Sequence, residues 1–148
     1  MADVFTSKKR SEVMSAIRSA GTTPERRLYE VVRTYLGHRW RIDRNCNDLP
    51  GKPDVVVPTL RLAMFADGCF FHYCPVHGRI PDSHQDYWAP KIRRNVERDQ
   101  SNQIALGEQG YEVWRFWEHE LKTLAALEET AERIAERLGK RTKEARGL

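Results

Sequence analysis

Apolar positions recur along the chain with two different periods. After Lys8, Lys9 and Arg10, the residues Val13, Met14 and Ile17 fall on one face of a short helix. Ala20-Gly21-Thr22 reads as a turn. Thr22 or Thr23 can cap a second helix, with Pro24 in its first turn and Glu25 near the positive end of the helix dipole. Leu28, Val31, Val32 and Tyr35 keep helical spacing, and Gly37 ends the run. The pattern then shortens. Trp40 to Ile42 reads as a short strand, and Asn45 to Lys52 is rich in turn formers. Asp54-Val55-Val56-Val57-Pro58 and Arg61 to Ala66 read as two strands joined at Thr59-Leu60, a hairpin. Gly68 to Asp82 is irregular. A helix is predicted from Gln85 to about Gly107; Pro90 fits only in its first turn, which sets the start near Asp86. Tyr111 to Phe116 is a strand. Glu118 to Leu138 is a helix carrying Leu121, Leu124, Ala131, Ile134 and Leu138 on its face, with Gly139 as its stop and a basic tail to Leu148.

The order is helix, helix, three strands, long helix, strand, helix. It predicts an α/β fold in which a mixed central sheet is flanked by helices. No internal repeat interrupts it. With 148 residues the chain suits one domain, read here as residues 1–138, opened by an arm and short helix over 1–20 and followed by the tail 139–148. A hydrophobic share of 40% argues against disorder, and no apolar run approaches the roughly 20 residues of a membrane span. The first residues lack the apolar core of a signal peptide, so a cytoplasmic location is expected. Three cysteines argue against a disulfide scaffold. The net charge of +4 and pI of about 9.1 suit a polyanionic partner.

The candidate chemistry is concentrated in a short stretch. Asp54 stands at the mouth of three valines, where aspartate is disfavoured. It reads as a turn residue closing the loop before it, or as a carboxylate fixed at a strand edge that can hold Mg²⁺ against a phosphate. The neighbouring strand ends in Ala66-Asp67-Gly68, so the Ala66 carbonyl or the Asp67 side chain can complete such a site, with Glu25 as a third oxygen donor. Cys69, His72, Cys74 and His77 crowd together next. Tetrahedral zinc needs four converging ligands; Cys69, Cys74 and His77 have local spacing, and the fourth is His72 or the distant His119. If it is His119, His72 is free for acid–base work. Phe70 and Phe71 are adjacent and cannot both enter one core from an extended stretch. Tyr87 and Trp88 open a helix bearing Lys91, Arg93, Arg94 and Arg98. Such a face is often merely solvated, but stacking groups among phosphate binders also suit nucleic acid, with the aromatics as wedges between bases.

Together these residues resemble the very-short-patch repair mismatch endonucleases of bacteria. The resemblance runs from Met1-Ala2-Asp3-Val4 to about Leu138. It rests on Arg10-Ser11, Glu25-Arg26-Arg27-Leu28, Leu49-Pro50-Gly51-Lys52-Pro53-Asp54, Asp67-Gly68-Cys69-Phe70-Phe71-His72, Asn95-Val96-Glu97-Arg98-Asp99, Gly110-Tyr111-Glu112-Val113 and Trp117-Glu118. It implies a fold similar to the PD-(D/E)XK nucleases, with a structural zinc site. It implies Mg²⁺-dependent nicking of one strand 5′ to the thymine of a T·G mismatch, initiating repair of deaminated 5-methylcytosine. The expected partner is mismatched double-stranded DNA, met by a monomer in the cytoplasm at the nucleoid. By motif, Asp54 resembles the metal-binding aspartate, the Ala66 carbonyl the adjoining ligand, His72 the general base and Glu25 the acid that reaches the metal through water. Phe70, Phe71 and Trp88 match the intercalating aromatics, and Lys91, Arg94 and Asn95 are carried as DNA contacts. Cys69, Cys74, His77 and His119 match the zinc positions. Phe71 stands where the family pattern has tryptophan, His119 where it has cysteine, and Asp67 where the best-known member has histidine. These departures leave a second reading: a nicking or restriction-type nuclease on the same scaffold that cuts paired DNA.

Overall fold

The computed structural model describes residues 6–147, so most of the expected N-terminal arm, with the Met1-Ala2-Asp3-Val4 motif, lies outside the described residues. Helix α1 spans Ser7–Ala20 and is capped by the Thr6 hydroxyl, which accepts from the Lys9 amide. Helix α2 spans Pro24–Leu36, with Thr23 as its N-cap residue and Gly37, at φ 77°, turning the chain away. Arg33 then donates to the Gly37 and Trp40 carbonyls. That occupies the Trp40 backbone, and the strand expected at Trp40–Ile42 forms later, as β1 over Asp43–Arg44. Strands β2 (Val55–Val57) and β3 (Leu62–Asp67) are joined by a 3₁₀ turn at Pro58–Leu60. Helix α3 runs over Gln85–Glu108 from His84 in the left-handed region. It starts a residue before Asp86, so Pro90 falls in the second turn rather than the first; lacking an N–H, it cannot serve the Asp86 carbonyl.

Strand β4 is Glu112–Trp117. The helix expected over Glu118–Leu138 is two helices, α4 (Glu118–Lys122) and α5 (Leu124–Ala145). Thr123 breaks the run and caps the second helix by accepting from the Ala126 amide. The restart shifts the phase: Leu124 is exposed and Leu127 takes the buried place, followed by Ala131, Ile134 and Leu138. Gly139 does not end α5. The helix continues because Arg141 docks it, pairing with Glu112 at 2.5 Å and donating to the Leu60 carbonyl.

Among the described residues the sheet has four strands in the order β1-β2-β3-β4. β1 and β2, and β2 and β3, are antiparallel, whereas β3 and β4 are parallel. One face carries Val55, Val57, Leu62, Met64, Trp114 and Phe116 against α1, α2 and α5. The other carries Val56, Ala63 and Phe65, joined by Leu106 of α3. The result is three layers around a mixed sheet, the expected α/β class. The topology has one consequence for chemistry: the start of β2, the end of β3 and the end of β4 lie together at one end of the sheet. No helix among the described residues is long and apolar enough to cross a membrane.

Candidate active site and metal cluster

Asp54 immediately precedes β2. Its amide donates to the Met64 carbonyl, and its Oδ2 accepts from the Ala66 amide at 2.7 Å. The side chain thus extends the β2–β3 ladder by one rung. In a strand, a residue's N–H and C=O point to the same neighbour, so the Ala66 carbonyl also lies on the Asp54 side. Burial pushes the Asp54 carboxyl up to about 6; the Ala66 hydrogen bond opposes this, the charges of Glu25 and Asp67 add to it, and His72 opposes it. Asp54 and Glu25 line a cleft of about 440 Å³ with the cations Arg26, Arg44 and Lys52. Arg44 is held over the Tyr29 ring, 4.6 Å from its centroid. Arg26 and Lys52 belong to sequence motifs that carry no sign of this role, and Arg44 belongs to none.

His72 does not join the sulfur cluster. Its Nδ1 lies 2.5 Å from Asp99 Oδ2 on α3. A carboxylate only accepts, so Nδ1 carries the proton and Nε2 is the basic nitrogen. In the sequence, Asp99 is marked only by its place at the end of the motif Asn95–Asp99, one helical turn beyond Asn95. Asp67 is 4% exposed and is paired with Arg115 of β4 at 2.9 Å, so its side chain is not a free ligand beside Asp54.

Cys69, Cys74, His77 and His119 converge, with their ligand atoms all within 4.8 Å of one another. His119 Nδ1 lies 3.4 Å from Cys69 Sγ, 3.5 Å from Cys74 Sγ and 3.3 Å from His77 Nδ1. A tetrahedron with bonds of about 2.0–2.3 Å has edges of about 3.3–3.8 Å, so the three separations from His119 match a zinc site, and two thiols with two imidazoles suit zinc in type. The amides of Val76 and His77 point at Cys74 Sγ, 3.3 and 3.5 Å away. Burial pushes the Cys74 thiol up, but the amides of His77, Val76 and Gly78 outweigh it and leave the thiol lowered; burial raises Cys69. Gly78 is required for this turn, since a Cβ there would lie 2.5 Å from the Cys74 carbonyl oxygen.

The aromatics gather above the start of α3. Phe70 meets Phe71 and Trp88 edge-on, each at 5.1 Å, and Trp88 meets Tyr87 at 4.9 Å. Phe71 is 48% exposed. Lys91 lies over both Tyr87 and Trp88. Asn95 Nδ2 donates to the Phe71 carbonyl, tying the loop to α3, and Arg94 is exposed.

The model of the DNA mismatch endonuclease Vsr family matches residues 2–77. The DNA mismatch endonuclease Vsr of Escherichia coli K12 is 37% identical over 140 residues, covering 93% of this chain and 86% of the relative. The type II nicking enzyme V.XorIIP of Xanthomonas oryzae pv. oryzae is 41% identical over 130 residues, 86% of this chain and 93% of the relative. V.NaeI of Lentzea aerocolonigenes, also a type II nicking enzyme, is 46% identical over 114 residues, 75% of this chain and 68% of the relative. Fold, clustered titratable groups and relatives define the class: the protein is a DNA endonuclease. More narrowly, the chain belongs to the Vsr family of DNA mismatch endonucleases.

Proposed function

We propose that this endonuclease nicks one strand of duplex DNA 5′ to the thymine of a T·G mismatch, and so initiates very-short-patch repair of deaminated 5-methylcytosine. The observation that carries the chemistry is the Asp54 carboxylate, fixed on the Ala66 amide, raised by burial and by two further acids, beside a cleft with three cations. Converging carboxylates of this kind favour a divalent cation, and Asp54 with the Ala66 carbonyl would hold Mg²⁺, with Glu25 reaching it through water. When bound, the ion supplies positive charge to the scissile phosphate.

The chain's own residues do the rest. His72 takes the proton of the attacking water at Nε2, and Asp99 holds the ring and stabilises the imidazolium that forms. In-line attack then leaves a 5′-phosphate and a 3′-hydroxyl. Arg26, Arg44 and Lys52 hold the phosphates next to the cut, and Lys91, Arg94 and Asn95 those near the wedge. Phe70, Phe71 and Trp88 enter the base stack at the mismatch, where opening is least costly. Cys69, Cys74, His77 and His119 would hold zinc, which would keep this loop in shape without taking part in the chemistry. The protein acts as a single unit and as a monomer in the cytoplasm.

Asp54→Ala is expected to abolish nicking of a T·G duplex in Mg²⁺ while DNA binding largely remains; an Asp54→Ala protein that cuts normally removes the metal assignment. V.XorIIP and V.NaeI are type II nicking enzymes, and a second reading is that this scaffold nicks paired DNA. A panel of paired and mismatched duplexes, scored on both strands, separates the two.

A further inference from the structure

One guanidinium joins three elements next to His72. Arg115 lies directly opposite Phe65 in the β3–β4 register, and its guanidinium carbon sits over that ring, 4.2 Å from the centroid. Each of its three nitrogens has a separate acceptor. Nη1 donates to Asp67 Oδ2 at 2.9 Å, Nε to Gln103 Oε1 at 3.1 Å and Nη2 to the Asp99 carbonyl at 3.4 Å. Asp99 and Gln103 are one helical turn apart on α3, so the planar fork spans that turn. The same Asp99 holds His72 through its side chain. Asp67 projects on the Phe65 side of β3, two residues on, and is 4% exposed. A carboxylate that deeply buried is tolerable only with its partner in place.

The geometry points to Arg115 as a positioning residue for His72: braced by Asp67 and Phe65, it fixes the turn of α3 that carries Asp99, and Asp99 in turn fixes the imidazole. This rests on the reading of His72 as general base. The chain of contacts is sheet to arginine, arginine to helix, helix to histidine. A misplacement of about 1 Å in a reacting group costs up to roughly 100-fold in rate. Loosening this turn is therefore expected to slow chemistry far more than binding. Lysine cannot replace the arginine, because a single ammonium cannot reach three acceptors arranged around a flat fork.

The test compares wild type, Arg115→Met, the double variant Asp67→Asn/Arg115→Met and Arg115→Lys. Arg115→Met alone leaves the Asp67 charge orphaned and can unfold the chain; the double variant removes that charge, and Arg115→Lys keeps a partner for it. Single-turnover nicking at saturating T·G duplex, duplex affinity and the low-field Nδ1–H proton resonance of His72 are measured on each. The double variant is expected to bind duplex within about twofold of wild type and to nick about 10- to 100-fold more slowly. Its His72 resonance should be shifted or lost. Arg115→Lys should change the same two readouts in the same direction by less, and it decides the matter alone if the double variant does not fold. A folded variant that nicks at the wild-type rate, or keeps the His72 resonance unchanged, overturns the proposal. A wild-type protein that binds duplex but cuts none overturns the reading of function instead, while the resonance still reports on Arg115.

Discussion

At the scale of the residue, the difference between Cys69, Cys74 and their neighbour His72 is instructive. All three lie in one irregular loop, and the spacing alone leaves His72 a candidate for the cluster. Its ring turns instead to Asp99, 27 positions further on, and His119 completes the four soft donors. That separation of roles makes a sharp prediction. His72→Ala should lose about 10²- to 10⁴-fold in nicking rate, the range for removing a general base, while purified protein keeps its full metal content. A variant that loses bound metal would put His72 back among the ligands. Asp54, Glu25, Cys69, Cys74 and His77 were legible as candidates because unusual residue types stand close together or at element ends, whereas His119 stood beside His72 as an alternative that the fold resolves by placing His119 in the cluster. Asp99, Arg115 and the cleft cations were not, because each is an ordinary charged residue whose meaning comes from a partner far away in sequence.

Elements were legible where one face of the chain meets one core. Val13, Met14 and Ile17 of α1, and Leu28, Val31 and Val32 of α2, are buried as their spacing predicts. The misplaced β1, the split before α5 and the extended end of α5 share a cause, which is a polar group that binds backbone from outside the element. Arg33 takes the Trp40 carbonyl and delays β1; Thr123 caps and restarts a helix; Arg141 carries α5 past its glycine. Arg27 shows the same device as a stabiliser. It is buried in α2, and it donates to the Leu121 and Lys122 carbonyls at the end of α4 and to Gly21 in the α1–α2 turn. Arg27→Met leaves those carbonyls without their donor and should destabilise the protein by about 2–4 kcal/mol, read as a lower midpoint in urea at unchanged slope.

At the scale of the whole molecule, an antiparallel pair followed by a parallel one delivers the start of β2 and the ends of β3 and β4 to one place. Asp54, Ala66, the cysteine loop and His119 meet there by topology before any side chain is considered. If the cluster holds zinc as proposed, stripping the protein with a strong chelator should lower its melting temperature and stop nicking even in excess Mg²⁺, and zinc alone should restore both. Loss of activity restored by Mg²⁺ alone would remove the structural metal from the reading. The cluster also sets a schedule. His77 and His119 are 42 positions apart, and everything between them, the whole of α3 and β4, must be in place before the fourth ligand arrives. During synthesis, Asp54 and His72 leave the ribosome well before either Asp99 or His119. A growing chain therefore carries Asp54 and His72, the groups proposed to cut, before the partner of His72 and the last member of the cluster have been made.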